Sequence, residues 1–125
     1  MLFVMAKLQN CFLDHEGEKM NDKYVIRLWF EHGGECLWAV SEKARERFFT
    51  VVHLEDLPIS EATRRLAEQM NREYITAFDW NDFSKGSVWS EEQKKDFVVR
   101  GENLRNALQK ELGDEYVITY DPNSF

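Results

Sequence analysis

Two cysteines and two histidines in the first third of the chain are of the residue types that bind a metal ion, and they form two equally spaced pairs. Cys11 precedes His15 with three residues between them, and His32 precedes Cys36 at the same spacing. Zinc takes four such ligands in a tetrahedron, but its usual pairs are C-x2-4-C and H-x3-5-H, and this spacing matches neither. The second pair would also straddle a predicted hairpin turn. We therefore expect free thiols and imidazoles, with no metal or cofactor.

Catalysis by a cysteine would need a histidine beside it in the fold, and His53 is a candidate for that position. No family signature surrounds Cys11 or Cys36, and the chain has no GxSxG, HExxH, Walker or GxGxxG motif. The carboxylates of 79–92 could serve a metal-dependent nuclease, but no basic cluster lies near them to attract a polyanion. We predict that the protein is not an enzyme, with a small cysteine- or metal-dependent hydrolase as the alternative.

The segment FDWNDFSKGSVWSEE at 78–92 mixes aromatic and acidic residues. A connecting loop is normally polar, so aromatic residues there either close the core or anchor a partner. Tryptophan often dominates binding energy, and neighbouring acids steer a basic partner. The tip of the predicted hairpin, with Glu31, His32 and Glu35, is a second candidate surface. The predicted partner contacts are Asp79, Trp80, Asp82, Phe83, Trp89, Glu91, Glu92, Glu31 and Glu35.

The net charge of −7 comes from 23 acidic and 16 basic residues spread along the chain. Such a field repels phosphates, which argues against direct nucleic-acid binding, and favours a basic partner, although solubility alone also explains it. The apolar run at the start is too short for a signal peptide, and no stretch reaches the roughly 18 apolar residues of a membrane helix. We expect a cytoplasmic protein with reduced cysteines and no membrane contact.

A β-hairpin must position the first candidate surface. YVIRLWF at 24–30 is rich in β-branched and aromatic residues, with Tyr24, Ile26, Leu28 and Phe30 on one face. The glycine pair Gly33-Gly34 predicts positive φ angles in a tight turn, and ECLWAV at 35–40 is the predicted partner strand. Residues 2–13 could be a short strand or a turn of helix, and 14–22 a loop.

Three helices follow, each opened by a serine cap. Ser41 precedes a helix over 42–49, and TVVHL at 50–54 could be a strand. Ser60 precedes a helix over 61–78, and Ser90 a helix that ends at Gly113. A final strand covers 115–120. The apolar stripes of the last two helices are Ala62, Leu66, Met70 and Tyr74, then Phe97, Leu104, Leu108 and Leu112, with Gly101 between them.

This order of elements predicts an α+β fold, with a small, mainly antiparallel sheet and about three helices packed on one face. The length of 125 residues fits a single domain over 1–125. It stays open whether 1–22 is a loosely attached N-terminal segment.

This acidic α+β chain has the character of a known family. The similar segments are the strand reading YVIRLWFEHGG and the C-terminal helix and strand reading LRNALQKELGDEYVITY. It resembles the bacterial immunity proteins of contact-dependent growth inhibition and related polymorphic-toxin systems. The resemblance implies a cytoplasmic protein that binds a cognate toxin domain tightly, often a basic nuclease, and covers its active site. Acidic side chains would then occupy phosphate positions.

Two further functions remain open on the sequence. A phage-encoded inhibitor, such as an anti-CRISPR protein or a nucleic-acid mimic, would use the same acidic surface. A homo-oligomer would bury the aromatic segment against its own copy, although we expect a monomer or a weak homo-oligomer when no toxin is bound.

Overall fold

The structure, a computed structural model, describes residues 22–122. Within this range the chain forms six helices and strands. The segment 2–13 and nearly all of the loop at 14–22 lie outside the described residues. Two short 3-10 turns, Leu54–Asp56 and Phe83–Lys85, connect the main elements. The six helices and strands are β1 (Tyr24–Leu28), β2 (Leu37–Ala39), α1 (Glu42–Phe48), α2 (Glu61–Ile75), α3 (Glu91–Leu112) and β3 (Tyr116–Tyr120).

The sheet is mixed, with strand order β2-β1-β3. β1 pairs antiparallel with β2, where Leu28 lies opposite Leu37, and the predicted hairpin is confirmed. The predicted α+β fold with three helices is confirmed, but β3 pairs parallel with β1, so the sheet is mixed and not purely antiparallel. A parallel neighbour needs a long crossover connection, and the chain between β2 and β3, with its three helices, supplies one.

The hairpin loop is longer than the predicted tight turn. The backbone N–H of Trp29 donates to the carbonyl of Cys36 at 2.8 Å, so six residues separate this last pair. Of the two glycines in this loop, only Gly34 has a positive φ, of 87°, while Gly33 donates its N–H to Oε1 of Glu31 at 2.8 Å. One left-handed residue and a side-chain bond therefore replace the expected two-glycine turn.

The three serine caps are confirmed. Ser41 accepts from the N–H of Ala44, Ser60 from Thr63, and Ser90 from Gln93 in a full capping box. The predicted strand at 50–54 is reduced to one bridge, between Val51 and Trp38, before the Leu54–Asp56 turn begins.

The α2 helix ends at Ile75, before the predicted 78. The indole N–H of Trp80 donates to the carbonyl of Ile75 at 2.7 Å and so satisfies an acceptor that the next turn would have used. Thr76 is the C-terminal cap residue of the helix, and its N–H still donates to the carbonyl of Glu73.

The buried face of α2 begins one residue later than the sequence stripe. Ala62 is exposed and Leu66 half-buried, whereas Thr63 and Ala67 are buried with Met70 and Tyr74. A strict four-residue spacing drifts by about 40° per step around a helix of 3.6 residues per turn, so its early members leave the core face.

The core lies between the sheet and the helices. Ile26, Leu28 and Phe30 of the predicted inner face are fully buried, and the Phe30 ring lies 4.9 Å from Phe97 of α3. The α3 stripe is confirmed by the burial of Phe97, Leu104 and Leu108, and the left-handed Gly113 ends the helix. Ala44 and Phe48 of α1 join the same core.

Both outer edges of the sheet already have hydrogen-bond partners. Along β3, the side-chain amide of Gln109 donates to the carbonyl of Tyr116 at 2.7 Å and accepts from the N–H of Ile118 at 2.8 Å. Arg105 Nε donates to the carbonyl of Ile118 at 2.7 Å. Along β2, the backbone bonds from Val52 to Leu37 and from Ala39 to Thr50 measure 2.9 and 3.0 Å.

Candidate partner-binding site

The hairpin tip and the 78–92 segment, predicted as two surfaces, meet at His32. The imidazole centroid lies 4.7 Å from the ring of Trp80, 5.4 Å from Phe78 and 6.1 Å from Phe83. Trp80 and Phe83 also contact each other edge to face at 5.3 Å. The structure therefore joins part of each predicted surface in one cluster of rings. We call it the aromatic patch: His32, Phe78, Trp80 and Phe83.

The aromatic patch is exposed but rests on a buried ring. Phe83 is 57% exposed and Trp80 is 40% exposed, so both present apolar area to solvent. Beneath them the buried Tyr74 lies 5.9 Å from His32 and 5.7 Å from Phe78. Rings fixed in this way lose little conformational entropy when a partner covers them, which is the property of a binding anchor.

Hydrogen bonds hold the 78–89 loop against the end of α2. The indole of Trp80 bonds to Ile75, as described above, and the N–H of Val88 donates to the carbonyl of Ala77 at 2.7 Å. The hydroxyl of Ser87 donates to the same carbonyl at 2.9 Å. The patch is therefore preorganised by backbone and side-chain bonds at both ends of the loop.

Two predicted acidic contacts, Asp79 and Asp82, lie in this loop and also help to fold it. Asp79 accepts from the N–H of Asn81 at 2.9 Å and pairs with Lys85 at 3.2 Å. Asp82 caps the short 3-10 turn by accepting from the N–H of Ser84 at 3.1 Å. In the part of the chain that the structure describes, no basic side chain forms an ion pair with Asp82. Its charge is therefore available to a basic partner.

Three other predicted contacts lie outside the aromatic patch. Trp89 is half-buried, with its ring 5.1 Å from Phe97 and its indole N–H donating to Thr76 at 3.1 Å. Glu91 and Glu92 occupy the first turn of α3, where a carboxylate interacts favourably with the helix dipole. Their part in binding stays a prediction.

The acidic residues of the hairpin tip have different positions. Glu31 accepts from Gly33 and so stabilises the turn. Glu35 lies at the rim of a separate small pocket, where its Oε2 is 3.9 Å from Nδ1 of His53. His53 and Cys36 line this same pocket.

Of the residues considered for cysteine chemistry, the structure describes Cys36, His32 and His53. Burial raises the pKa of Cys36 to about 12, so its thiol stays protonated at neutral pH and is a poor nucleophile beside His53. Cys11 and His15 of the zinc set lie outside the described residues. Within 22–122 no group of three or more His, Cys, Asp or Glu side chains could hold a metal ion.

A comparison with protein families decides the broader assignment. Residues 24–123 match the family model described as Serratia CdiI immunity protein-like. The match begins at the first residue of β1 and continues past the end of β3, so it covers most of the chain. The chain belongs to this family.

Membership in the CdiI-like family confirms the resemblance drawn from the sequence. The family is one of immunity proteins, which neutralise the toxins of contact-dependent growth inhibition, and the partner of this CdiI-like protein is accordingly a toxin. No curated protein matches the chain. In the part that the structure describes, the CdiI-like protein has no helix with the length and apolar character needed to span a membrane.

The central position of His32 in this CdiI-like protein has no signal in the sequence. The interpretation placed His32 at a hairpin tip and the other three rings in a distant loop, and only tertiary packing joins them. The pocket beside Glu35 was missed for the same reason, because its carboxylates come from three separate elements.

Proposed function

We propose that this CdiI-like protein neutralises a basic nuclease toxin in the cytoplasm by covering the toxin's active site with the aromatic patch. The observation that carries the proposal is the joining of the two predicted surfaces at His32. Exposed aromatic anchors surrounded by carboxylates are the composition expected at the centre of an interface with a basic protein.

The carboxylates give the surface its preference for a basic partner. Asp79 and Asp82 lie in the same loop as Trp80 and Phe83, and Glu31 and Glu35 lie in the same hairpin loop as His32. The active site of a nuclease is built to attract phosphates, so carboxylates at its mouth would take their place. The net charge of −7 adds long-range attraction, which raises the association rate at low salt.

The aromatic patch is tested by a matched pair of phenylalanine substitutions. The probe is the toxin domain encoded next to this gene, purified as a catalytically inactive variant. We expect Phe83→Ala to weaken binding about tenfold or more in calorimetry, because an exposed anchor loses its contact area. Phe49→Ala is the control, since Phe49 is 80% exposed and has no ring contact with the patch in the described residues.

A second variant addresses tryptophan and charge together. Trp80→Ala combined with Asp82→Ala should weaken binding further and should fail to protect growth when the toxin is expressed. Circular dichroism must show that each variant is folded. Equal affinity of Phe83→Ala and Phe49→Ala would place the contact surface elsewhere.

The class of toxin is tested separately. The purified active toxin domain should degrade RNA or DNA, and one equivalent of the CdiI-like protein should stop it. A toxin that is neutralised without degrading nucleic acid would refute the nuclease assignment.

A further inference from the structure

A small pocket of about 210 Å³ lies between the hairpin loop, the 54–56 turn and helix α2. One carboxylate comes from each of these elements: Glu35 from the loop, Glu55 from the turn and Glu68 from α2. No lysine or arginine is among the described residues that line it. Arg64, which does not line the pocket, forms an ion pair with Glu68 at 3.4 Å and offsets part of the negative charge. The pocket is therefore a site of negative potential.

Asn71 of α2 also lines this pocket and supplies an independent observation. The residue is only 8% exposed; its side chain hydrogen-bonds the Cys36 thiol, but its Oδ1 has no hydrogen-bond partner among the described residues. A buried acceptor without a donor destabilises a fold, and an apolar residue at this helical position would avoid that cost. The oxygen is satisfied if a ligand brings an N–H donor into the pocket.

The two observations agree on the chemistry of the occupant. The carboxylates favour positive charge, and the Asn71 oxygen lacks a hydrogen-bond donor. A metal ion could also coordinate the Asn71 oxygen, but the described residues include no group of three or more His, Cys, Asp or Glu side chains that could hold one. A guanidinium or ammonium group supplies both the charge and the donor.

We propose that this pocket binds one arginine or lysine side chain of the toxin. The inference rests on the proposed function, which makes the toxin the partner, and adds a second contact beside the aromatic patch. Both contacts belong to one hairpin loop, since His32 lies in the patch and Glu35 in the pocket. A toxin that covers the patch therefore comes within reach of the pocket.

The pocket is tested first without the toxin. Methylguanidinium chloride is titrated into the full ¹⁵N-labelled chain, and tetramethylammonium chloride, which carries the same charge without N–H donors, is the reference salt. We expect saturable NMR shifts with millimolar affinity at the Asn71 side-chain amide and the Glu35 and Glu55 backbone amides. Absence of saturation, or an equal response to both salts, overturns the proposal.

Substitutions then separate binding from folding. Glu68→Gln and Asn71→Leu should each weaken methylguanidinium binding by about threefold or more, since each removes one recognised property. Asn71→Leu should also keep or raise the melting temperature, because leucine removes the unsatisfied oxygen and favours helix. Glu46→Gln, at an exposed carboxylate of α1, should bind like the wild type. Affinities of all three variants equal to the wild type would refute the site.

The toxin domain provides the final test. The double variant Glu35→Gln with Glu68→Gln should bind it about tenfold more weakly than the wild type, as for the loss of a partly desolvated charge pair. Equal binding of both overturns the pocket's role and leaves the proposed function intact. No binding of the wild type overturns the proposed function, and with it the toxin as the source of the cation.

Discussion

At the scale of single residues, the contact between Gly101 and Tyr120 shows how a weak helix former becomes necessary. Gly101 lies buried in the middle of α3, where glycine costs about 1 kcal/mol relative to alanine. An added Cβ would collide with the phenol of Tyr120, which lies against the helix backbone. The hydroxyl of Tyr120 has no hydrogen-bond partner in the described residues, and burial raises its pKa to about 12. The close approach of ring and helix explains the glycine.

The effect of Gly101→Ala on the free energy of unfolding should therefore depend in sign on the residue at position 120. In the wild type we expect a loss of about 1–2 kcal/mol in the free energy of unfolding, because the overlap outweighs the gain in helix propensity. With Tyr120→Val the space is free, and the same substitution should stabilise by about 0.5–1 kcal/mol. Urea unfolding of the four proteins measures both values. The same sign in both backgrounds would contradict this account.

At the scale of elements, Arg100 joins α2 to α3. Its guanidinium donates to both oxygens of Glu73 at 2.7 and 2.8 Å and to Asp96 at 2.9 Å. These bonds lower the pKa of Glu73 and raise that of Arg100. A bidentate pair between helices fixes their relative position as well as adding energy.

This pair predicts a pH dependence of stability. Because the pKa of Glu73 is lowered in the fold, its contribution is complete above its ordinary value of 4.5 and is lost as pH falls through the folded value. Glu73→Gln should cost about 1 kcal/mol at neutral pH, as for a well-formed but partly solvated pair. The gap in melting temperature between wild type and variant should narrow as the pH falls below 4.5. A gap that does not narrow at acid pH would argue against the pair, and Glu46→Gln provides the control.

The elements also show what sequence patterns can and cannot predict. Caps and strands depend on neighbouring residues, so Ser41, Ser60 and Ser90 and the 24–28 strand were predictable. The parallel pairing of β3 was not, because residues 116–120 have the same pattern in either direction. The stripe of α2 was displaced because spacing alone does not fix which row faces the core. The aromatic patch was predicted as two halves, since no local pattern connects residue 32 to residues 78–83.

At the scale of the whole molecule, both outer edges of the sheet have hydrogen-bond partners, so we expect that strand pairing with a second copy is disfavoured. Gln109→Leu should leave the N–H of Ile118 and the carbonyl of Tyr116 unpaired, which costs about 1–3 kcal/mol and opens β3 to another strand. Light scattering should detect dimers or larger species at high concentration. Lys110→Leu adds the same side chain at an exposed position of α3 and should stay monomeric. Association of both variants alike would mean that the surface leucine, not the open edge, is responsible.

The closed edges also bear on how an immunity protein distinguishes one toxin from its variants. Strand addition recognises backbone, which every sequence shares, and therefore tolerates change in the partner. With Gln109 and Arg105 bonded along β3, and 50–52 along β2, strand addition at either edge would have to break existing bonds, which agrees with the proposed recognition by side chains of the loops. A few substitutions in those loops can then create a new specificity without disturbing the sheet.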